Sequence, residues 1–341
     1  MKRIHSLDYN FCGDASTGLT MRWGQKLDEN PVFAPWPELA DISISNYCTK
    51  GCTFCYRNSS ADGALMSIAD YNLVLNQLTH PSYGPIFQVA LGGGEPLEHP
   101  DFLHIIKITA ERGIVANFTT NGIHLTSGIA KKLSGRVGAI ALSTDLIANI
   151  PRNSIDIAVG EGIKTNLHFI LNRKSIDDAI KILEGQYNDL LSGINSLIFL
   201  TYKPCGRAKV IDCLAEGPDY DKFLTLVEKN YCCIPIGFDA CMIPPILHNT
   251  RINPDYIDSC ECGFFSVYIN ENLEVKTCSF YTGNKFTYNL HEHNFNWIWH
   301  EGFKPYRSWI LSRNCKNICP NHSDCRGACP FFPELKFCYR E

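Results

Sequence analysis

This chain lacks any apolar run of the roughly 20 residues that a membrane-spanning helix needs. Its opening residues, Met1-Lys-Arg-Ile-His-Ser-Leu-Asp8, lack the apolar core of a secretory signal. The two absences place the protein in the cytoplasm, with no membrane partner. Nor is there a surplus of positive charge. Lys and Arg number 31 against 35 Asp and Glu, for a net charge of -4, so no general basic surface invites nucleic acid. Internal repeats and low-complexity tracts are also missing. What the chain has in plenty is cysteine, 17 in 341 residues. In a reducing compartment such numbers point to metal rather than disulfides. The length and the 45% hydrophobic content allow one large domain and a smaller one.

Three of the cysteines stand close together in Cys48-Thr-Lys-Gly-Cys52-Thr-Phe-Cys55. Thiolates suit iron, and iron–sulfur clusters are usually held by cysteine. A cube of four irons served by three thiolates keeps one iron open to a small molecule, and an open position separates catalytic metal sites from structural ones. The competing reading is a zinc knuckle that borrows a fourth ligand, but such ligands usually come as two pairs.

Between about residue 40 and residue 230 the pattern alternates strand and helix. Strands are expected at 40–47, 86–91, 114–119, 138–143, 164–170 and 196–202. Helices are expected at 67–79, 100–112, 126–134, 176–190 and 219–230, with a poorly patterned crossover at 150–161. Alternation of this kind implies an α/β fold with a parallel sheet and right-handed crossovers. Ahead of it, Tyr9-Asn-Phe11 and Leu19-Thr-Met-Arg-Trp23 read as a hairpin. That hairpin would either cover the bottom of a barrel or receive a peptide strand, packing being the simpler role.

The Cys48–Cys55 spacing, C-x3-C-x2-C, resembles the signature of the radical S-adenosylmethionine (SAM) enzymes. So does Leu91-Gly-Gly-Gly-Glu95-Pro96, which matches that family's glycine-rich end of the second strand. The resemblance implies a partial (β/α)6 TIM-like barrel, with ligands at the C-terminal ends of the strands, as in full barrels. It implies a [4Fe-4S] cluster on Cys48, Cys52 and Cys55, and SAM on its open iron. Phe54 would pack near the adenine. Gly93, Gly94 and Glu95 would hold the SAM amino group. Asn121 and Ser143 would lie at the third and fourth strand ends, Ser143 facing the ribose or carboxylate. Asp145 either joins them or caps the next helix. Asn166 and His168 alternate on the fifth strand and either face SAM or simply line the barrel. Tyr202 opens Tyr202-Lys-Pro-Cys-Gly-Arg-Ala208, similar to a segment found near the adenine in related enzymes. Cys205, at that strand end, is a candidate hydrogen-atom donor.

The last hundred residues hold a second pattern. Asp324-Cys-Arg-Gly-Ala-Cys329-Pro resembles the SPASM extension of radical SAM peptide maturases, a small cysteine-rich domain that binds two auxiliary iron–sulfur clusters. The resemblance implies an outer cluster on Cys315, Cys319, Cys325 and Cys338, and an inner one on Cys278 and Cys329 with Cys262 and Cys260. The sequence departs from the family in three places. The pair 315/319 is spaced C-x3-C rather than C-x2-C, the usual glycine before the hairpin cysteine is Leu273, and Cys260 and Cys262 are one residue apart. Cys241 is an alternative to one of the latter two. A zinc ribbon is the plain alternative for the region.

Three segments follow: a hairpin extension at 1–39, a radical SAM barrel at 40–231 and an auxiliary-cluster domain at 232–341. The activity implied is reductive cleavage of SAM to a 5′-deoxyadenosyl radical, then hydrogen abstraction from a peptide or protein side chain in a maturation reaction such as crosslinking, oxidation or epimerisation. An electron donor such as flavodoxin or ferredoxin would serve it. A small-molecule substrate (sugar, nucleoside or cofactor precursor) is the alternative enzyme reading, and an iron–sulfur electron carrier or redox sensor the alternative of another class. Ser279 stands where sulfatase-maturing relatives have a catalytic aspartate, which argues against that activity.

Overall fold

The chain opens with three short antiparallel strands, β1 (Lys2–His5), β2 (Asn10–Gly13) and β3 (Thr20–Trp23). The expected hairpin is β2–β3, and β1 adds a third strand. The computed structural model of the protein describes residues 1–313, 325–335 and 338. The small sheet touches the main body just ahead of its strands. Phe11 meets Phe87 edge-on at 5.5 Å, and Lys164 Nζ donates to the Thr17 carbonyl at 2.6 Å. It therefore lies under the N-terminal ends of the barrel strands, on the side away from the expected site.

The main sheet follows in sequence order. β4 (Leu39–Ser45) leads through α1 (Ile68–Gln77) and a minor hairpin, β5 (Thr79–His80) and β6 (Gly84–Pro85), to β7 (Gln88–Gly93). Then come α2 (Phe102–Glu111), β8 (Val115–Thr120), α3 (Ser127–Leu133), β9 (Val137–Thr144), α4 (Arg152–Gly160), β10 (Thr165–Leu171), α5 (Ile176–Leu183), α6 (Asn188–Leu191), β11 (Ser196–Thr201) and α7 (Pro218–Lys229). All six expected strands are present, each shifted by no more than two residues. The helix expected over 176–190 is split into α5 and α6, and the weakly patterned crossover forms α4.

Helix starts follow local chemistry. Ser67 Oγ accepts from Asp70 N at the start of α1, and Thr126 Oγ1 from Ile129 N at the start of α3, each satisfying an orphan amide. Strands alternate fully buried residues beneath the helices with half-buried ones facing the barrel interior. In β8, Ala116 and Phe118 are buried while Val115 and Asn117 are not. The buried set forms one core, including Leu75, Ile105, Leu142, Phe169 and Phe199.

Two features extend the sheet beyond the six-stranded expectation. A seventh parallel strand, β12 (Ile236–Phe238), pairs with β11. After α8 (Ile243–Asn249), the strand β13 (Ser266–Ile269) pairs in parallel with the free edge of β4. It is followed by antiparallel β14 (Glu274–Lys276) and β15 (Thr287–Asn289). One ten-stranded sheet therefore runs β12-β11-β10-β9-β8-β7-β4-β13-β14-β15, and strands from both sides of residue 232 belong to it. The described chain closes with α9 (Phe295–Trp297), a π turn over Ile298–Gly302, and α10 (Lys304–Leu311).

The β13–β14 turn holds Leu273 at φ +63°, the left-handed region that favours glycine. The hairpin takes this geometry with a leucine, whose side chain is buried in the core. No helix among the described residues is long and apolar enough to cross a membrane.

Candidate active site

The cysteine loop leaves the C-terminal end of β4 and is tied down on two sides. On one side Glu98, just past the glycine turn, accepts from Thr49 N at 3.0 Å and from Thr49 Oγ1 at 2.5 Å. On the other, Arg207 donates through Nε to the Cys52 carbonyl and through Nη1 to the Ser59 carbonyl, both at 2.8 Å. The Arg207 amide donates to the Cys55 carbonyl at 3.0 Å. Gly206 makes this clamp possible. It sits at φ +65°, and a Cβ there would lie 2.4 Å from the Tyr56 carbonyl oxygen.

The 202–208 segment, expected beside the adenine, grips the cysteine loop. The three thiols stay half-buried. Burial pushes the Cys48 and Cys52 thiols up, with the Lys50 amide opposing at Cys48 and the Lys50 ammonium at Cys52. Metal binding here must therefore release protons.

The glycine turn at the end of β7 lies beside this loop. Gly93 and Gly94 are small for reasons internal to the protein. A Cβ on Gly93, at φ +108°, would lie 2.1 Å from Ser43 Oγ, and one on Gly94 would lie 2.0 Å from the Tyr47 carbonyl oxygen. Gly92 differs, because a Cβ there would meet nothing within 4 Å. Of the three, it is the one that opens onto free space.

Glu95 is buried and already engaged. Oε1 accepts from Leu97 N at 3.1 Å and Thr120 Oγ1 at 2.6 Å, and Oε2 from Asn121 N at 2.8 Å. With three of about four acceptor positions used, its first role is to brace the β7 and β8 ends together. Asn121 is set by this brace, and its own Oδ1 takes Ile123 N at 2.9 Å.

A cavity of about 260 Å³ opens next to the loop, lined by Phe54, Asp145, Asn172, Lys174 and Tyr202 among others. Phe54 and Tyr202 thus both line it. The Tyr202 hydroxyl accepts from Lys209 N at 2.7 Å, which fixes the ring. Ser143 lies level with His168 in the β9–β10 ladder. Asn166 faces inward as its alternation suggests, but it stands at the start of β10. Its Oδ1 accepts from Asn195 Nδ2 and Ser196 Oγ. It belongs to the opposite end of the barrel, and its placement among SAM contacts is corrected.

The barrel interior carries ionisable groups. Burial drives Asp41 up to about 6, a bond from Ser279 and the charge of Arg57 opposing it. His168 is pushed down to about 4 by burial, against the pull of Asp239, so its imidazole is neutral near pH 7. Burial also works against the Lys203 ammonium, but Asp239 outweighs it and holds the amine above its usual range. The two meet at 2.5 Å, and the ammonium lies 4.4 Å over the Phe280 ring. Cys205 is half-buried; burial raises its thiol, the Gly206 amide opposes, and Cys278 adds to the rise.

Of the C-terminal cysteines, Cys260, Cys262, Cys278 and Cys329 come together, and Cys241 joins them. The Cys262 thiol shares hydrogen bonds with those of Cys260 and Cys278, and the Cys241 thiol with that of Cys329, all five being free thiols. Cys325 and Cys338 are described, whereas Cys315 and Cys319 lie outside the described residues. Backbone amides point at several sulfurs: Ser59 N at Cys55 (3.4 Å), Phe280 N at Cys278 (3.5 Å) and Gly327 N at Cys325 (3.4 Å). Such donors suit cluster-bound thiolates, whose potentials they tune. Among the described residues no three His, Cys, Asp or Glu are grouped for a single metal ion. The fit to iron–sulfur clusters therefore rests on the thiol sets and their amide donors.

A parallel barrel with a thiol triple and a glycine turn at its strand ends defines a cluster-binding α/β enzyme site. Residues 42–184 match the Radical SAM superfamily, so the chain carries a radical SAM domain. Mycofactocin maturase MftC of Mycobacterium tuberculosis is 27% identical over 105 residues, covering 30% of this chain and 25% of that protein. PqqA peptide cyclase of Ruegeria pomeroyi is 22% identical over 184 residues, covering 47% and 46%. The chain thus spans a quarter to about half the length of these relatives. Among solved structures, Streptococcus suis SuiB bound to precursor peptide SuiA superposes with a TM-score of 0.68 at 18% identity, over 87% of this chain and 72% of that one. The anSMEcpe structure with bound AdoMet gives 0.60 at 16% identity, over 85% and 89%. These likenesses establish the fold along most of the chain.

Proposed function

We propose that the protein cleaves SAM reductively at a [4Fe-4S] cluster held by Cys48, Cys52 and Cys55, and uses the product to modify a ribosomally made peptide or a protein side chain. The observation that carries this reading is the thiol triple held above the strand ends, with Gly92 and the Phe54–Tyr202 cavity beside it. When bound, cluster and SAM supply hydrogen-atom abstraction from an unactivated carbon.

The chain's own residues do the rest. Glu98 and Arg207 fix the loop. Gly92 leaves room for the backbone to approach a ligand, and Phe54 and Tyr202 wall the cavity. Asp41 and His168 face the interior in which a substrate side chain would lie.

The peptide substrate is supported by the names of the relatives, a maturase and a peptide cyclase, and by SuiB, which was solved with its precursor peptide. Residues 232–341 would act as the SPASM-like part carrying two auxiliary clusters, with 40–231 as the barrel and 1–39 as its cover. A flavodoxin or ferredoxin would deliver the electron. The test is anaerobic incubation with SAM and dithionite. Formation of 5′-deoxyadenosine is expected, and it is lost when Cys48, Cys52 and Cys55 are replaced by Ala. A protein with its irons in place that makes none under several reductants would refute the reading. A mass change in a peptide encoded beside this gene would settle the substrate class.

A further inference from the structure

The ten-stranded sheet ends at β12, and one side of that strand faces no other strand among the described residues. The Pro235 carbonyl accepts from Leu197 N at 2.9 Å, and Asp239 N donates to the Phe199 carbonyl at 3.0 Å. Residues 235, 237 and 239 therefore turn their backbone groups toward β11. By alternation, Ile236 and Phe238 turn theirs away from it. Among the described residues, no backbone hydrogen bond reaches the amide or carbonyl of either. A row of such groups at a sheet edge is a template for one more strand.

This edge borders a cavity of about 540 Å³, bounded by β12, the end of α7, α8 and the segment 252–261. Part of its wall is apolar, with Ile243 and Ile246 of α8 near Phe238. Phe238 points to the helix side of the sheet, stacked on Phe199 at 5.6 Å and edge-on to Phe223 of α7 at 6.3 Å. Asp239, Asp258 and Glu261 also line the cavity, and no described Lys or Arg does. Arg22 divides one guanidinium among Asp258, Glu261 and Glu38. Arg326 gives its bonds to the Val32 and Cys260 carbonyls. The Asp258 side chain is 64% exposed, so its carboxylate is open to a cation from outside.

The strand leads to the candidate active site. Asp239, directly after β12, accepts from Thr201 Oγ1 at 2.6 Å and from Lys203 Nζ at 2.5 Å. The 202–208 segment that follows Thr201 holds the cysteine loop. A chain laid along β12 therefore runs to the end of the barrel where that loop stands.

We propose that β12 is the docking edge for the peptide substrate, an extended segment with alternating apolar and basic side chains. Its backbone pairs with Ile236 and Phe238, its apolar side chains lie against α7 and α8, and its basic ones meet the carboxylates. Main-chain bonds of this kind give affinity, and alternate side chains give specificity. The assignment rests on the reading above that the substrate is a peptide.

The test uses full-length protein and a fluorescein-labelled synthetic peptide of alternating valine and lysine, read by fluorescence anisotropy. Two versions are N-methylated at every second amide, one along each edge of the strand. The parent should bind, and the two methylated versions should differ by at least about tenfold, because only one edge of an added strand faces β12. A glutamate-for-lysine peptide should bind at least about tenfold more weakly than the parent, and Asp258→Lys should erase that preference. Ile236→Pro removes one outward amide and leaves the ladder to β11, so it should weaken the parent peptide about tenfold. A melting curve checks its fold, and the methylated pair decides on wild type alone if that fold is lost. No binding, equal binding of the two methylated versions, or a charge preference unchanged in Asp258→Lys would overturn the assignment. So would a wild-type dimer that Ile236→Pro dissociates, which would give the edge to a second copy of the chain. Binding needs neither SAM nor reductant, so failure of the catalytic reading shows separately, as no 5′-deoxyadenosine from wild type with SAM and dithionite.

Discussion

Arg207→Ala should loosen the cysteine loop without unfolding the barrel. The guanidinium makes two 2.8 Å bonds to carbonyls of the loop, at Cys52 and Ser59, and a longer one of 3.3 Å to Asn58 Oδ1. Hydrogen bonds with one charged partner contribute about 1.5–3 kcal/mol each. Arg207 is half-buried, so the lower end applies and the longer bond is neglected, giving about 3 kcal/mol for the pair. That is roughly a hundredfold rise in the open population of the loop. The change is local, because the backbone bond from Arg207 N to Cys55 O and the Glu98 tether remain. A chelator takes iron from the open form when opening and closing are fast. Anaerobic bleaching by an iron chelator should therefore speed up about a hundredfold for a cluster held by Cys48, Cys52 and Cys55. Arg207→Lys can reach only one carbonyl and should lie near tenfold. If the Arg207→Ala rate stays within about threefold of wild type, the clamp does not hold the loop and the argument fails.

Two further expectations concern the strand ends and the interior. Gly92→Ala should fold and load iron normally yet bind SAM at least about tenfold more weakly, since its Cβ would project into open space. Gly94→Ala should give little soluble protein, since its Cβ would sit 2.0 Å from the Tyr47 carbonyl oxygen. Calorimetric SAM titration and expression yield distinguish these outcomes, and equal behaviour of the two variants would contradict the assignment of Gly92 to the ligand. Asp41 is displaced from 3.8 to about 6, or about 3 kcal/mol across the window between those values. A raised carboxyl favours the fold when protonated, so its contribution is present below pH 3.8 and lost as pH rises to about 6. Asp41→Asn should thus raise the melting temperature relative to wild type more at pH 8 than at pH 5, and an equal gap at both would refute the shift.

Much of this was legible because the signals are local. The six parallel strands announce themselves as short apolar runs, and the cysteine spacing and the glycine turn each lie within eight residues. What escaped the sequence depends on distant pairing. β12 is three residues long, follows Pro235, and is a strand only because β11 offers it an edge. The pairing of β13 with β4 leaves no trace in periodicity, which reports faces and not neighbours. The same limit explains Asn166. Alternation says correctly that it faces inward, but not how high it stands, and it stands at the end away from the loops. Glu95 shows a third limit. A carboxylate at a glycine turn suggests an ammonium partner, yet three protein donors reach it first. Arg207 is invisible as a clamp until the chain brings it across to residues 52–59.

The β4–β13 pairing has a further physical consequence. Because β13 lies in register on β4, its turn delivers Glu271 to the base of the cysteine loop. There Glu271 Oε2 takes Ser43 Oγ at 2.8 Å and Arg57 Nη2 at 2.5 Å. The returning strand then brings Cys278-Ser279-Phe280 back into the barrel mouth. Phe280 packs against Tyr56 at 4.5 Å, and Ser279 bonds to Asp41. Tyr56 and Arg57 directly follow Cys55, and Ser279 and Phe280 directly follow Cys278. The two thiol groups are thus joined directly by the Tyr56–Phe280 contact, and the strands that carry them by the Arg57–Glu271 ion pair and the Ser279–Asp41 hydrogen bond. Removing one partner of a buried ion pair is costly, about 3–5 kcal/mol, so neither loop can reposition without disturbing the other. Ordering of the cysteine loop by a bound cluster therefore steadies the residues that aim Cys278. The separation of the two sites is set by backbone pairing within one sheet, rather than by the docking of one domain on another.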